Sequence, residues 1–421
     1  MIEADLLIIG AGAAGLAAAI FAGEAAGGAQ RILILDGAPK PGAKILVAGG
    51  GRCNVTHDQV TPDDFFGGPR PIIRNVLRAF DERRTLAWMK AMGVALKLEE
   101  TGKYFPVSDD AHTVLDALLR RVGEVGARLL TGVRVTDLRV VDTDGGAGFE
   151  LSTAGEPAAF RARRVIVATG GLALPKSGSD GAGLALVARL GHAIVPTTPA
   201  LSPLVLRASA EPGGRFAELS GLTLNVRLGL YDPAGRRVHE RTGSMVFTHF
   251  GVSGPAPLDL SRHILRARLG QPDVAWQVWL GHPDLPTVEA ADQWLKRQGA
   301  ARPRHAVANV LSELYPERLA RMLAEGAGET MAHLAREQRL ALARRLAALP
   351  LDVAVDCGYS FAETTAGGVD LREIDPRTMQ SRRVPGLYLC GEILDVDGRI
   401  GGFNFQWAWA SGYLAGRAAA K

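Results

Sequence analysis

The stretch DLLIIGAGAAG, residues 5–15, decides the fold of this chain. An apolar run typical of a buried strand leads directly into Gly10, Gly12 and Gly15, which open an Ala-rich helix. In such a motif the first glycine allows a tight turn, the second lets the backbone approach a pyrophosphate, and the third lets helix and strand pack closely. A second apolar strand ends on Asp36, whose carboxylate can accept hydrogen bonds from ribose hydroxyls. We therefore predict a dinucleotide site of the Rossmann type; the alternative is a glycine-rich turn that serves packing alone.

The composition sets the class of protein. The chain has 421 residues, of which 47% are hydrophobic and 22% charged, enough to bury a large core in two or three domains. A formal net charge of +4, evenly spread, does not by itself indicate a nucleic-acid partner. The three cysteines form no CxxC pair and no metal-ligand cluster, so we expect no metal site and a reducing, cytoplasmic location. No apolar run of about eighteen residues predicts a membrane span, and the acidic residues near the start argue against a signal peptide.

A second glycine-rich segment follows the first two predicted strands. Lys44 precedes the run GGGRCN at 49–54. Three consecutive glycines are costly in backbone entropy unless the chain must approach another group closely. We therefore predict that this segment contacts the ribityl chain and pyrophosphate of a bound cofactor, the alternative being a flexible surface loop.

A third strand carries small residues at its carboxyl end. Residues 164–171 read RVIVATGG, so Thr169 and Gly170 fall where doubly wound sheets bind ligands. The run GSDGAG at 178–183 resembles another fingerprint, but no strand immediately precedes it and no strand with a terminal acid follows at the right distance. We therefore predict one dinucleotide fold and not two.

The character of the chain changes twice in its middle. Proline and glycine punctuate residues 196–286, where hairpin patterns predict an inserted β-rich domain. Residues 287–350 are rich in Ala, Leu, Glu and Arg and predict an inserted helical subdomain. Its arginines are more typical of a solvated helical face than of a nucleic-acid surface. Residues 1–195 and 351–421 are predicted to form the dinucleotide-binding domain together.

The carboxy-terminal segment supplies the last candidate residues. Asp395 follows a short apolar strand, where it can hold a ribityl hydroxyl, and Gly401 and Gly402 open the final helix. The N–H groups and dipole at this helix N-terminus favour negative charge, such as that at N1 and O2 of a flavin. A terminal helix held only by Trp407 and Trp409 is the alternative, but it explains neither the glycines nor Asp395.

Taken together, these motifs resemble a bacterial flavoprotein family, that of the bile-acid dehydro-reductases and aminoacetone oxidases. The segments that carry the resemblance are 10–15, 44–56, 105–108, 248–255, 365–369, 391–398 and 401–404. The resemblance implies an α/β fold: a glutathione-reductase-like (Rossmann-type) FAD-binding domain with an inserted β-barrel plus helical domain. The FAD would be bound non-covalently. Two positions depart from the family pattern: His57 replaces a frequent Asn, and Thr364 replaces the commoner Val before Thr365.

The predicted cofactor contacts come from the glycine motifs and from the resemblance. The resemblance implies contacts by Ala14, Asp36, Lys44, Cys53, Asn54, Val133, Asp395 and Gly402. With the glycine motifs, the full set is Gly10, Gly12, Ala13, Ala14, Gly15, Asp36, Lys44, Gly51, Arg52, Cys53, Asn54, Val133, Thr169, Gly170, Asp395, Gly401, Gly402, Phe403, Asn404 and Phe405.

We predict an FAD-dependent oxidoreductase that uses NAD(P)H to reduce an activated C=C or a related small-molecule acceptor. The nicotinamide would visit the flavin transiently because no second nucleotide fold is visible. A flavin amine oxidase that uses oxygen is one alternative, and a flavin-dependent nucleic-acid-modifying or binding protein is another. Arg52, Tyr104 and His249 are the candidates for catalysis, since their motifs should face the flavin. We expect a small-molecule substrate, no stably bound nucleic acid and no membrane, and we leave the oligomeric state open.

Overall fold

The computed structural model describes residues 1–143, 146–155, 159–207 and 216–421. The chain forms two compact units: the first comprises Met1–Thr198 and Glu363–Lys421, and the second comprises Pro199–Ala362. The chain returns to the first unit later than the boundary at 351 that we expected. The reason is that Val353–Asp356 still pairs with Leu204–Leu206 in the sheet of the second unit.

The elements are numbered in chain order. The strands are β1 Ile2–Ile9, β2 Ile32–Asp36, β3 Thr56–His57, β4 Phe65–Gly67, β5 Leu96–Leu98, β6 Lys103–Pro106, β7 Arg128–Thr131, β8 Arg134–Thr143, β9 Gly146–Ala154, β10 Ala159–Val167, β11 Ile194–Ala200, β12 Leu204–Leu206, β13 Thr223–Tyr231, β14 Arg237–Phe247, β15 Gly251–Ser253, β16 Gln277–Gly281, β17 Leu349–Leu351, β18 Val353–Asp356, β19 Thr364–Val369, β20 Leu387–Leu389 and β21 Val396–Gly398. The helices are α1 Ala13–Ala26, α2 Ala43–Gly51, α3 Arg70–Ala79, α4 Glu82–Ala91, α5 His112–Glu124, α6 Ala182–Arg189, α7 Pro255–Gly270, α8 Val288–Ala301, α9 Val307–Leu311, α10 Glu317–Ala324, α11 Arg336–Ala347 and α12 Phe403–Ala419.

The main sheet of the first unit has the order β7-β2-β1-β10-β9-β8, with β20 also paired to β10. Strands β7, β2, β1, β10 and β20 are parallel, so their carboxyl ends lie along one edge. β10 is long enough to pair with β20 near its end and, antiparallel, with β9 near its start. The apolar run Leu6–Ile9 in β1 is buried, as a central parallel strand requires. The fingerprint that follows β1 therefore opens at the carboxyl edge.

Helices α1 and α12 pack side by side in the first unit. A Cβ atom on Gly412 would lie 2.7 Å from the carbonyl oxygen of Ala14, and one on Gly416 would lie 2.2 Å from that of Ala18. A step of four residues along one helix thus matches four along the other, so the two helices run in the same direction. By this register, α12 begins about eight residues, or ~12 Å, ahead of α1.

The first unit also contains small sheets beside the main one. β3, β6 and β5 form one, and β21 pairs with β4 in another. Helix α2 is interrupted, because Ala48 has an extended ψ of 143° and Gly49 and Gly50 have φ values of 60° and 70°. The glycine run is therefore a turn within the helix and not a loose loop.

The second unit contains a seven-stranded sheet of order β17-β16-β13-β14-β15-β12-β18. Its paired strands are antiparallel. The two edge strands, β17 and β18, are separated in the chain by the single residue Asp352. The two edges of the sheet must therefore lie close together, so the sheet is curled like a barrel. One core joins strand residues such as Leu228 and Leu280 to helix residues such as Leu342 and Leu346. Strands and helices of the second unit thus share one hydrophobic core. Among the described residues, no helix combines the length and the apolarity needed to cross a membrane.

Candidate cofactor and active site

The three fingerprint glycines differ in the space around them. A Cβ on Gly10 would lie 2.6 Å from the carbonyl oxygen of Ala168, and one on Gly15 would lie 1.9 Å from that of Gly10. Gly12, in contrast, has nothing within 4 Å of its Cβ position. The first and third glycines therefore permit packing, while Gly12, Ala13 and Ala14 begin a helix whose first N–H groups have no intrahelical partner. This open backbone fits a pyrophosphate.

Asp36 lies beside the fingerprint at the end of β2. Its Oδ2 accepts from the N–H of Ala11 at 2.6 Å, and its Oδ1 accepts from that of Ala38 at 2.8 Å. Each carboxylate oxygen can accept a further hydrogen bond, so the side chain is held in place and still suits a ribose hydroxyl. The N–H of Val133 donates to the backbone oxygen of Asp36 at 2.9 Å. A contact between Val133 and an adenine would therefore use the Val133 carbonyl.

Arg52 and Cys53 end the glycine run in well-defined surroundings. The Arg52 guanidinium lies 3.9 Å from the Phe105 ring centroid and 2.6 Å from Glu99 Oε1. The hydrogen bond to Glu99 raises the pKa of Arg52. Cys53 is fully buried, with a φ of 61°, and burial raises the pKa of its thiol to about 12. The Arg52 side chain is therefore held at the end of the glycine run, and Cys53 stays a protonated packing residue, not a nucleophile.

Asn54 connects this turn to the start of α12. Its Oδ1 is buried and has no hydrogen-bond partner among the described residues. A Cβ on Gly402, which has a φ of 93°, would lie 2.8 Å from Asn54 Oδ1 and 2.7 Å from the carbonyl carbon of Thr56. Only glycine fits this approach. A buried acceptor without a donor is rare in proteins, and a ligand N–H at the start of α12 would satisfy it.

The first turn of α12 is held by its own side chains. Asn404 donates from Nδ2 to the Gly398 oxygen at 3.0 Å and accepts from the Gly398 N–H at 2.8 Å. The rings of Phe403 and His57 stack at 4.8 Å, and Phe405 stacks on Trp409. The Asn404 side chain is thus structural, and what the turn offers a ligand is its backbone N–H groups. Gly401, with a φ of 130°, lets the chain enter this turn.

Asp395 is positioned by its backbone. Its N–H donates to the Val369 oxygen at 2.9 Å, and its own carbonyl accepts from the Gly68 N–H at 2.7 Å. A Cβ on Gly67 would lie 2.7 Å from Asp395 Oδ1. Asp395 is buried, with 8% of the residue exposed. Its carboxylate therefore has a fixed position near the carboxyl edge.

Thr169 and Gly170 follow β10 at the same edge. The Cβ of a residue at Gly183 would overlap the Thr169 hydroxyl, which shows that Thr169 packs against the start of α6. Gly170 lies against Ser179, whose buried Oγ has no hydrogen-bond partner in the described part of the chain. Gly170 and Ser179 thus present backbone and hydroxyl groups that could hold a ligand, whereas the Thr169 side chain serves packing.

These groups form one site in the first unit. The N-termini of α1 and α12 both point to the carboxyl edge, and the offset of about 12 Å along the helices separates two anion-binding positions. A diphosphate fits the first position and a flavin edge fits the second. No group of three or more His, Cys, Asp or Glu in the described ranges could hold a metal ion.

The HI0933-like protein Rossmann domain family matches residues 4–418. The chain belongs to this family. It is 35% identical over 421 residues to a 3-dehydro-bile acid delta(4,6)-reductase of Clostridium scindens, with 98% of each chain covered. It is 32% identical over 417 residues to a ribosomal RNA dihydrouridine synthase of Escherichia coli, with 97% of this chain and 96% of that protein covered. A 3-ketosteroid delta1-dehydrogenase structure from Sterolibacterium denitrificans has a TM-score of 0.50 at 13% identity, covering 100% of both chains, and shows the fold alone.

The family and the fold class are thus confirmed: the chain has a Rossmann-type FAD-binding domain with an inserted domain. The candidates for catalysis are spread over both units. Tyr104 lies half-buried in β6, paired with Thr56, in the first unit. His249 belongs to the second unit, where it is exposed in the turn after β14 and lies edge-on to Phe250 at 5.0 Å. Strand β14 ends at Phe247, two residues before His249.

Two residues of the carboxyl edge were missed by the sequence reasoning. Glu392 lies three residues after the end of β20, and its carboxylate contacts the Lys44 ammonium at 2.6 Å. Thr365 in β19 donates from Oγ1 to Glu392 Oε1 at 2.9 Å. Glu392 stands at the carboxyl end of a strand, a position that was a usable signal. Nothing in the sequence, however, pairs it with Lys44.

Proposed function

We propose that this chain is a cytoplasmic, FAD-dependent reductase that uses NAD(P)H to saturate a carbon–carbon double bond conjugated to a carbonyl. The observation that carries the proposal is full-length similarity to two proteins named for such chemistry, a delta(4,6)-reductase and a dihydrouridine synthase. Both names denote addition of two hydrogens across a double bond, and neither denotes amine oxidation. For this reason we favour reduction over the oxidase alternative.

The geometry supports the cofactor assignment. Open N–H groups at Gly12, a carboxylate at Asp36, a buried acceptor on Asn54 and the N-terminus of α12 match the diphosphate, ribose and ring portions of FAD. Bound FAD would supply hydride transfer, and the protein supplies binding, orientation and electrostatics. The balanced reaction consumes NAD(P)H, one proton and the unsaturated substrate, and it gives NAD(P)⁺ and the saturated product.

NAD(P)H would reach the flavin as a transient visitor. The glycine run at 178–183 includes the start of α6, and no strand leads directly into it. It therefore does not form the second fingerprint that a resident nicotinamide would use.

Anaerobic stopped-flow spectroscopy tests the proposal. Purified holoprotein is mixed with NADH or NADPH, and the absorbance of the oxidised flavin is followed. We expect at least one nicotinamide to bleach the flavin and a conjugated enone to restore the colour without oxygen. If neither nicotinamide bleaches it while a primary amine does, the oxidase alternative replaces this proposal.

RNA uridine is a second candidate substrate. The specific observation is the 32% identity to the Escherichia coli ribosomal RNA dihydrouridine synthase, reinforced by 29% identity to a Haemophilus influenzae protein of the same name. Incubation with unmodified ribosomal RNA, with dihydrouridine measured by mass spectrometry, decides between this substrate and a free enone.

A further inference from the structure

A chain of hydrogen bonds crosses the carboxyl edge of the first unit. Lys44 Nζ contacts Glu392 Oε2 at 2.6 Å, with side chains that are 24% and 17% exposed. The other oxygen, Glu392 Oε1, accepts from the Thr365 N–H at 3.1 Å and from its Oγ1 at 2.9 Å. Thr365 Oγ1 in turn accepts from the N–H groups of Leu172 and Ala173 at 2.8 and 3.1 Å.

These contacts engage both oxygens of the Glu392 carboxylate. Thr365 uses its hydroxyl as donor to Glu392 and as acceptor from two backbone amides, which fixes its rotamer. Glu392 is then held at one oxygen by Thr365 and offers only the other oxygen to Lys44. An ammonium on a flexible four-carbon stem would otherwise sample many positions. The network therefore positions Lys44.

The sheet order places this network at the flavin end of the site. Asp36, assigned to the ribose of the adenosine half, ends β2, which lies on one side of β1. Glu392 follows β20, which pairs with β10 on the other side of β1. A Cβ on Gly391 would lie 2.7 Å from the Ala14 Cβ, so Glu392 follows a residue packed against the first turn of α1. A cofactor that enters with its diphosphate at Gly12 passes from the Asp36 side to the Glu392 side.

We propose that Glu392 is a positioning residue that holds the Lys44 ammonium beside the flavin, and that the pair sets the reduction potential of bound FAD. The inference rests on the FAD binding in the proposed function but not on the identity of the substrate or of the electron donor. Reduction adds negative charge to the flavin. Lys44 therefore favours reduced FAD, and the Glu392 carboxylate offsets part of that effect.

This arrangement predicts shifts of opposite sign. Glu392→Gln keeps the shape and the Thr365 contacts but leaves the Lys44 charge uncompensated. We expect it to strengthen binding of reduced FAD over oxidised FAD about tenfold, which is ~30 mV upward for a two-electron couple. Lys44→Met leaves the carboxylate alone and should shift the potential downward by a similar amount. The double variant should return close to the wild-type value.

The experiment measures the flavin midpoint potential of each holoprotein by chemical reduction with a reference dye. Glu24→Gln is the matched control, because it breaks the 2.7 Å ion pair with Arg121 between α1 and α5, which belongs to no part of the site. We expect this control to leave the potential unchanged. The Kd of oxidised FAD for each apoprotein is measured in parallel, as a readout independent of turnover.

Opposite shifts that cancel in the double variant support the proposal. Shifts of the same sign, or no shift in either single variant, overturn it. If Glu392→Gln does not fold, Lys44→Met alone must still lower the potential, and an unchanged value overturns the proposal. Chemical reduction needs neither NAD(P)H nor substrate, so a protein that shows the opposite shifts but no nicotinamide oxidation refutes the reductase assignment and leaves this inference standing.

Discussion

Gly416→Ala tests whether close packing of α1 and α12 holds the two halves of the cofactor site in register. The added Cβ would lie 2.2 Å from the Ala18 carbonyl oxygen and 3.0 Å from the Ala22 nitrogen. Contacts under 3.0 Å are essentially never seen for real Cβ atoms, and both neighbours are backbone atoms that cannot rotate away. The helices must therefore separate by about 1 Å, which is overpacking of a well-packed core.

The magnitude follows from two opposing terms. Overpacking costs roughly 1–3 kcal/mol, and the overlap with backbone puts this site near the upper end. Alanine is favoured over glycine inside a helix by about 1 kcal/mol, which offsets part of the cost. We expect a net loss of about 2 kcal/mol, which lowers Tm by roughly 4–8 °C in a unit of this size. The displaced α12 N-terminus should also weaken FAD binding, and each ~1.4 kcal/mol lost there raises Kd tenfold.

The assay is thermal unfolding of the apoprotein together with fluorescence titration by FAD. Gly123→Ala is the matched control: Gly123 is exposed in α5, and its Cβ would meet nothing within 4 Å. The same substitution there should raise stability by about 0.5–1 kcal/mol without changing FAD affinity. If Gly416→Ala is as stable as Gly123→Ala and binds FAD equally well, the packing argument is refuted.

Two further predictions concern stability. Gln406 is fully buried, accepts from the hydroxyls of Thr56 and Thr85 at 2.7 and 2.8 Å, and donates to the Phe80 oxygen at 2.8 Å. Gln406→Leu should cost roughly 3 kcal/mol or more in chemical denaturation because it leaves buried groups unpaired, and adding Thr85→Val should recover part of the loss. Burial lowers the pKa of His263 from near 6.5 to about 2, so its stabilising contribution is present above pH 6.5 and is lost as the pH falls. Stability should fall by about 1.4 kcal/mol between pH 7.5 and 5.5 from this group, and a His263→Asn variant whose pH dependence is as steep as that of the wild type would contradict the assignment.

The parts of the fold that could be predicted are those encoded locally. Gly10, Gly12 and Gly15 act within one strand–turn–helix unit, so their spacing alone determines which glycine packs and which stays open. Asp36 could be placed for the same reason, since β2 pairs directly with β1. The N-terminus of the last helix also followed from a local signal, the two glycines that precede it.

The parts that could not be predicted depend on contacts between distant segments. We predicted that the chain returns to the first unit at residue 351. Residues 353–356 nevertheless pair with β12 of the second unit, and no local pattern in their sequence indicates this pairing. Arg52 was predicted to contact the cofactor, and nothing in the sequence indicated that its guanidinium would contact Glu99 and Phe105. Ion pairs between residues far apart in the chain leave no periodic pattern in the sequence, so they cannot be predicted from it.

The same distinction explains why the site needs both chain ends. The fingerprint and the Gly402 turn each offer N–H groups, but neither fixes the distance to the other. That distance is set by Gly412 and Gly416, which let α12 approach the backbone of α1 as only glycine can. Their spacing of four residues repeats one helical face, so both act on the same contact line. These two glycines, which bind nothing themselves, therefore determine whether a diphosphate and a flavin ring can be held by one chain at the same time.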